Sequence, residues 1–217
     1  TETGELLHFK QSSTPEDPSK AIINGILHIL TEKCINPEEV SYLAHGTTVA
    51  TNALIEKKGA RIGLITTKGF RDLMEIGWQK RPSLYDLSKQ KPKSLIPDGL
   101  KCEDEERILY DGTVRTALNE ENVREVVRYL KEQNVQAIAV CTLFSFINPK
   151  HEMRIKEIIK EEYPGVYVST SSELVPEFRE YSRMSTTVLN SYLGPVMEKY
   201  VHNFEKSIDS LGIKVAP

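Results

Sequence analysis

A chain of 217 residues, 39% hydrophobic and 27% charged, is long enough to bury a sizeable core and has the composition of a globular protein. Its net charge of −3, with Lys and Arg spread along its length, gives no basic stripe for nucleic acid or an anionic membrane. The three cysteines, Cys34, Cys102 and Cys141, form no Cys-x-x-Cys pair, which argues against a zinc or disulfide framework and for reduced thiols in the cytoplasm.

No signal peptide or membrane-length apolar run is present. Position 1 is Thr rather than Met, and the expectation is a piece of a longer chain. Residues 1–4 read as a turn and 5–11 as a strand with Leu7 and Phe9 on one side. Residues 12–16 are a loop. Asp17-Pro18 then supplies an N-cap and a first helical proline. Ala21, Ile22, Gly25, Ile26, Ile29 and Leu30 recur at helical spacing, as in a helix laid on a sheet. Asn36-Pro37 restarts the chain, and residues 40–44 read as a buried strand.

The stretch from His45 to Phe70 is the organising unit. A small polar loop, His45-Gly-Thr-Thr48, opens a helix whose buried face is Val49, Ala50, Ala53 and Leu54. Gly59 closes that helix, residues 61–66 form a second strand, Lys68-Gly69 turns, and a helix begins near Phe70. This is the crossover pattern of a parallel sheet, with polar residues at strand carboxyl ends, where such sheets bind ligands. Residues 78–87 are irregular, and the stretch to about Cys102 is a long connection.

Residues 106–110 and 113–117 flank Asp111-Gly112 and read as a hairpin, since Asp-Gly suits a two-residue turn. Asn119 caps a helix striped by Val123, Val126, Val127 and Leu130. Residues 137–144 read as a buried strand. Asn148-Pro149 starts a helix carrying Ile155, Ile158 and Ile159, and Pro164-Gly165 stops it. Residues 166–170 form a last strand. From Pro176 the chain reads as helical almost to its end, kinked at Gly194-Pro195.

Two constellations could carry chemistry. His45, Thr47 and Thr48 place an imidazole and two hydroxyls at a strand–helix junction, where backbone N–H groups favour an anion or a polarised carbonyl oxygen. Thr48 is equally suited to be an ordinary N-cap, and a strand-end His is often only hydrogen-bonded. Asn52, one turn on, is polar on an otherwise apolar helix. Arg183, Thr186, Thr187 and Asn190 share one helix face at i, i+3, i+4 and i+7. Solvated faces usually carry Lys and Glu. Hydroxyl, amide and a single Arg suit a small polar ligand better. His151-Glu152 lacks the second His of a zinc-protease helix, and no Gly-x-Ser-x-Gly elbow or Gly-x-x-x-x-Gly-Lys-Ser/Thr phosphate loop occurs.

Six ordered segments resemble the hydantoinase A/oxoprolinase family, which includes N-methylhydantoinase A and acetone and acetophenone carboxylase subunits. They are His45-Gly-Thr-Thr-Val-Ala-Thr-Asn-Ala-Leu54, Gly63-Leu-Ile-Thr-Thr-Lys-Gly-Phe-Arg-Asp72, Arg81-Pro-Ser-Leu-Tyr-Asp-Leu87, Glu106-Arg107 with Asp111-Gly112, Asn148-Pro-Lys-His-Glu152, and the run from Pro176 to Asn190. The resemblance covers nearly the whole chain. It implies an α/β fold: an incomplete actin/hexokinase-like (ribonuclease H-like) lobe over 1–88, a smaller α/β subdomain over 103–175 and a C-terminal helical segment over 176–217 that links to a further lobe.

It also implies an ATP-dependent hydrolase that activates a cyclic amide, hydantoin or oxoproline, by phosphorylating the amide oxygen. The alternatives are a subunit of a ketone carboxylase or a non-enzymatic ligand- or partner-binding module. His45, Thr47 and Thr48 would be catalytic. Asn52, Arg81, Tyr85, Arg183, Thr186, Thr187 and Asn190 would bind substrate, the first group lining a cleft from one side and the helix from the other. ATP and a divalent cation, Mg, would serve the full-length protein, and neither is expected to bind this chain tightly. The family's opening Asp-x-Gly-Gly-Thr-Phe-Thr-Asp hairpin would lie upstream of Thr1, and a second phosphate loop after Pro217. Trp78 and Lys80 stand where the family pattern has Arg and Asn. A cyclic amide and a second hydantoinase subunit are the implied partners, with no nucleic acid and no membrane.

Overall fold

The computed structural model describes residues 4, 6–14 and 17–215. In chain order its elements are α1 (Pro18–Glu32), α2 (Val49–Ile55), β1 (Ile62–Thr67), α3 (Leu73–Ile76), β2 (Lys101–Asp104), β3 (Arg107–Ile108), β4 (Val114–Thr116), α4 (Glu120–Glu132), β5 (Ala137–Cys141), α5 (Lys150–Glu162), β6 (Tyr167–Thr170), α6 (Ser171–Leu174) and α7 (Glu180–Ser210). Short 3₁₀ turns occupy Pro37–Glu39 and Asp98–Leu100. The chain forms two compact units, one of residues 1–52 and 196–217, the other of residues 53–195.

In the first unit, Asp17 caps α1 by accepting the Ser19 N–H at 3.1 Å, with Pro18 in the first turn. The apolar face of α1 meets a helix and not a sheet: Leu30 packs with Phe204, Ile208 and Ile213, flanked by Ile22, Ile23 and Ile26. Two expected strands are absent here. Residues 6–11 are irregular, and Phe9 instead lies over Gly25, its ring tilted against that of His28 with centroids 4.1 Å apart. Glu5, the residues of the expected first turn before Gly4, and Pro15-Glu16 of the loop lie outside the described residues. Residues 40–44 are also irregular, with Tyr42 81% exposed. An apolar run becomes a strand only when a neighbour completes its hydrogen-bond ladder, and among the described residues none does so for either segment.

The second unit is built on a four-stranded parallel sheet of order β2-β1-β5-β6. Every residue of β1 and β5 is buried, as expected for strands covered on both faces. The stripes Val123, Val127, Leu130 on α4 and Ile155, Ile158, Ile159 on α5 join the same core as Met184, Val188 and Tyr192 of α7. One sheet thus unites residues 62–67 with 101–170, whereas the sequence reading drew a boundary between 88 and 103. At about 25 cal/mol per Å² of apolar area removed from water, burial of these aliphatic side chains is the main stabilising term.

Local details differ where tertiary contacts intervene. Lys57, in the left-handed region at φ 56°, ends the turn after α2, not Gly59. Gly59 is required for another reason: a Cβ there would stand 2.1 Å from the Tyr192 ring. The hairpin β3–β4 forms, but Gly112 N–H bonds Leu109 O across Tyr110-Asp111, so the loop is longer than two residues. β5 stops at Cys141, since Phe144 turns the chain at φ 56°. The helix near Phe70 begins only at Leu73, and α7 begins at Glu180 after an irregular 175–179. Pro195 stays inside α7, where its ring nitrogen cannot donate to the carbonyl four residues back.

Candidate functional site

In the first unit the loop before α2 is held from one end. His45 is half-buried, its Nε2 2.6 Å from the Tyr200 hydroxyl and its ring 4.7 Å from that of Phe204. Gly46, Thr47, Thr48 and Asn52 are exposed. Thr47, not Thr48, caps the helix: its Oγ1 accepts the Val49 N–H at 3.2 Å. Thr48 Oγ1 accepts from Asn52 Nδ2 at 3.5 Å. The structure therefore gathers His45, Thr47, Thr48 and Asn52 on one loop and helix start, with three of the four side chains open to a ligand.

In the second unit, Arg81 and Tyr85 lie in the irregular stretch after α3, both exposed, Tyr85 at 97%. The expected α7 stripe is split by depth. Thr186 is exposed, and its hydroxyl donates to Ser182 O at 3.0 Å. Thr187 is fully buried, and its hydroxyl donates to Arg183 O at 2.8 Å. Such a hydroxyl has no face left for a substrate. Arg183 is 1% exposed and donates to Glu177 O at 3.1 Å and Thr142 O at 2.7 Å, with Phe146 under its guanidinium. Asn190 Nδ2 donates to the Tyr167 hydroxyl and to Ser169 Oγ on β6. Gly194 makes this possible, because a Cβ there would meet the Tyr167 ring at 2.3 Å. The face expected to hold substrate is largely the face that grips the sheet.

A polar cluster that sequence reasoning missed lies at the carboxyl edge of that sheet. Glu152, fully buried near the start of α5, accepts the Thr142 N–H at 2.8 Å, the Ser171 hydroxyl at 2.6 Å and the Ser172 N–H at 2.7 Å. Glu106, 2% exposed, bonds Thr67 and His151. Burial pushes the Cys141 thiol up to about 11, reinforced by the Glu152 carboxylate, so Cys141 is an unreactive core thiol. Burial is also the main cause that raises the Asp104 carboxyl, against the Asn122 amide that lowers it. A signal was available in the sequence: Thr66-Thr67 and Thr142 each follow an apolar run, and His151-Glu152 opens the next helix.

A family model described as the hydantoinase/oxoprolinase N-terminal region matches residues 1–163. The chain belongs to the hydantoinase/oxoprolinase family. Over 206 residues it is 41% identical to an uncharacterized protein of Methanocaldococcus jannaschii, covering 94% of this chain and 30% of that one. It is 37% identical to caprolactamase subunit alpha of Pseudomonas jessenii, over 96% of this chain and 31% of the relative. Against 5-oxoprolinase 1 of Arabidopsis thaliana it is 33% identical, over 93% of this chain and 18% of the relative. The crystal structure of the ATP-dependent caprolactamase from Pseudomonas jessenii superposes with a TM-score of 0.89 at 36% identity, over 98% of this chain and 32% of that one. The chain thus spans about a third or less of the length of these family members.

Proposed function

We propose that the protein to which this chain belongs is an ATP-dependent hydrolase of cyclic amides, acting by phosphoryl activation of the amide. The observation that supports this most is the 37% identity to caprolactamase subunit alpha across 96% of the chain. An amide is a poor electrophile. A phosphoryl group on its oxygen supplies a leaving group, and such transfers depend on positioning and charge neutralisation more than on a protein nucleophile. We further propose the actin/hexokinase type of ATPase fold for the whole protein, a second subunit as partner, and a cytoplasmic location. The location rests on three free cysteines and on the lack of any helix, among the described residues, long and apolar enough to cross a membrane.

ATP and Mg belong to this reading, and for the cation the described residues offer no cluster that fits it. Among the described residues no three or more His, Cys, Asp or Glu side chains group as a cation site. The roles left to this chain are binding and orientation. Thr47, Thr48 and Asn52 offer exposed hydroxyls and an amide to a polarised carbonyl, on a loop that the His45–Tyr200 bond holds in place. Arg81, Tyr85 and Thr186 are exposed polar groups for the substrate side. Arg183, Thr187 and Asn190 act as positioning residues.

The test is turnover by the protein encoded by the whole open reading frame, together with any adjacent subunit gene. The panel is caprolactam, 5-oxoproline, hydantoin and a simple ketone with bicarbonate. ATP-dependent ring opening of a lactam is expected. Carboxylation of the ketone in its place, or no ATP-dependent turnover at all, would overturn the proposal.

A further inference from the structure

The sheet order β2-β1-β5-β6 contains a topological switch point. The chain leaves β1 towards β2 on one side and leaves β5 towards β6 on the other. Open parallel sheets bind ligands in the crevice outside the carboxyl ends of the two strands at such a point. Here those ends carry Thr67, the last residue of β1, and Leu143, two residues beyond β5. A hydrogen bond from Leu143 N–H to Thr67 Oγ1, 3.0 Å long, ties the two together.

That bond occupies one acceptor site of the Thr67 hydroxyl and leaves its proton for a second partner. Thr67 Oγ1 accepts from Leu143 and donates to Glu106 Oε1 in a close hydrogen bond. The Glu106 side chain is wholly buried, and its second oxygen, Oε2, stands 2.6 Å from His151 Nδ1. Where the Glu106 carboxylate accepts at both oxygens, Nδ1 is the donor of this bond and Nε2 is the ring nitrogen left to accept. Nε2 has no hydrogen-bond partner among the described residues, yet it is not one of the sealed unpartnered atoms, which are Thr142 Oγ1, Ser172 Oγ, Arg183 Nε and Ser191 Oγ. The His151 side chain keeps 6% exposure.

We propose that Glu106 and His151 form an acid–base dyad at the switch point. His151 Nε2 is its working atom and accepts a hydrogen bond, or a proton, from the N–H or O–H of a small polar ligand or a water. Glu106 is the positioning residue that fixes the tautomer, and Thr67 fixes the carboxylate. A purely structural tie between the β2–β3 turn and α5 would need the Nδ1 bond alone and would leave Nε2 without a role. The dyad does not depend on the lactam reading, since absence of lactam turnover by the whole protein leaves it standing.

Diethyl pyrocarbonate reads the atom directly, because it transfers its ethoxycarbonyl group to a bare imidazole nitrogen and releases ethanol and carbon dioxide. With the full 217-residue chain and peptide mass mapping, His151 is expected to be labelled despite its 4% exposure. In Glu106→Gln the amide oxygen takes the Thr67 proton and the amide NH₂ faces Nδ1, so the ring proton moves to Nε2. Labelling of His151 should then fall by about tenfold or more, following the logic by which a triad amide imposes the wrong tautomer. Labelling of His28 and His202 should not change. No labelling of His151 in the wild type, or equal labelling in the variant, overturns the dyad. If Glu106→Gln unfolds, the imidazole ¹⁵N spectrum of the wild-type chain decides instead: a proton on Nδ1 with bare Nε2 supports the proposal, and a proton on Nε2 defeats it.

Discussion

Glu152 ties the ends of two neighbouring strands with a single carboxylate. Its oxygens take the N–H of Thr142 after β5 and the hydroxyl of Ser171 after β6, both in the interior, and the N–H of the half-buried Ser172. Removing the acceptor orphans two buried donors and a half-buried one at once, and each unsatisfied buried donor costs about 1–3 kcal/mol. Glu152→Ala should therefore lower stability by on the order of 3 kcal/mol in urea unfolding, and a loss below about 1 kcal/mol would show that water replaces the carboxylate without penalty. The residue is also an instance of what sequence could not show. His151-Glu152 reads as an incomplete zinc pattern, because the partners that explain it lie 10 to 45 positions away. His45 was legible as a polar group at a chain turn, but its bond to Tyr200, 155 positions on, was not.

At the scale of elements, α4 and α5 are joined by a charged seam beside their apolar stripes. Arg124 bonds Glu161 and Glu162, Arg128 bonds Glu162, and Arg154 bonds Glu120. The Arg128 and then the Arg124 hydrogen bonds hold the Glu162 carboxyl down at about 2, against an ordinary value of 4.5. A carboxyl depressed in the folded state adds stability that is complete above its ordinary value and is lost as pH falls through the folded one. The stability gap between wild type and Glu162→Gln should thus be constant above pH 5 and close between about pH 4.5 and 2. It should also shrink in salt, because the seam faces solvent. Thermal unfolding across that pH range checks this, and a gap independent of pH would assign the effect to packing. The stripes of α4 and α5, the caps Asp17 and Asn119 and the β3–β4 hairpin were legible from periodicity and turn chemistry, which act within a few residues.

At the scale of the whole molecule, the chain is two compact units inside a family whose members are about three times as long or more. The described residues hold no grouped cation site. The 217-residue chain by itself is expected to bind ATP poorly in calorimetry with Mg present, and low-micromolar affinity would show that nucleotide binding resides here after all. Sequence alone determined the family, through six ordered segments, and the parallel α/β class, through buried apolar runs alternating with amphipathic helices. It also expected polar residues at strand ends, and the strand expected before His45 is absent. Only tertiary structure decided which apolar runs became strands, since a ladder needs a partner that sequence does not name. It also decided which polar residues face inward. On α7 the sequence saw a four-residue polar stripe, and the structure spends Arg183 and Asn190 on holding the helix to its neighbours, buries Thr187 on the Arg183 carbonyl of its own helix, and leaves Thr186 exposed. The loop before α2 kept its exposed hydroxyls, while Glu106, His151 and Glu152 became a polar cluster only when the sheet brought their partners together.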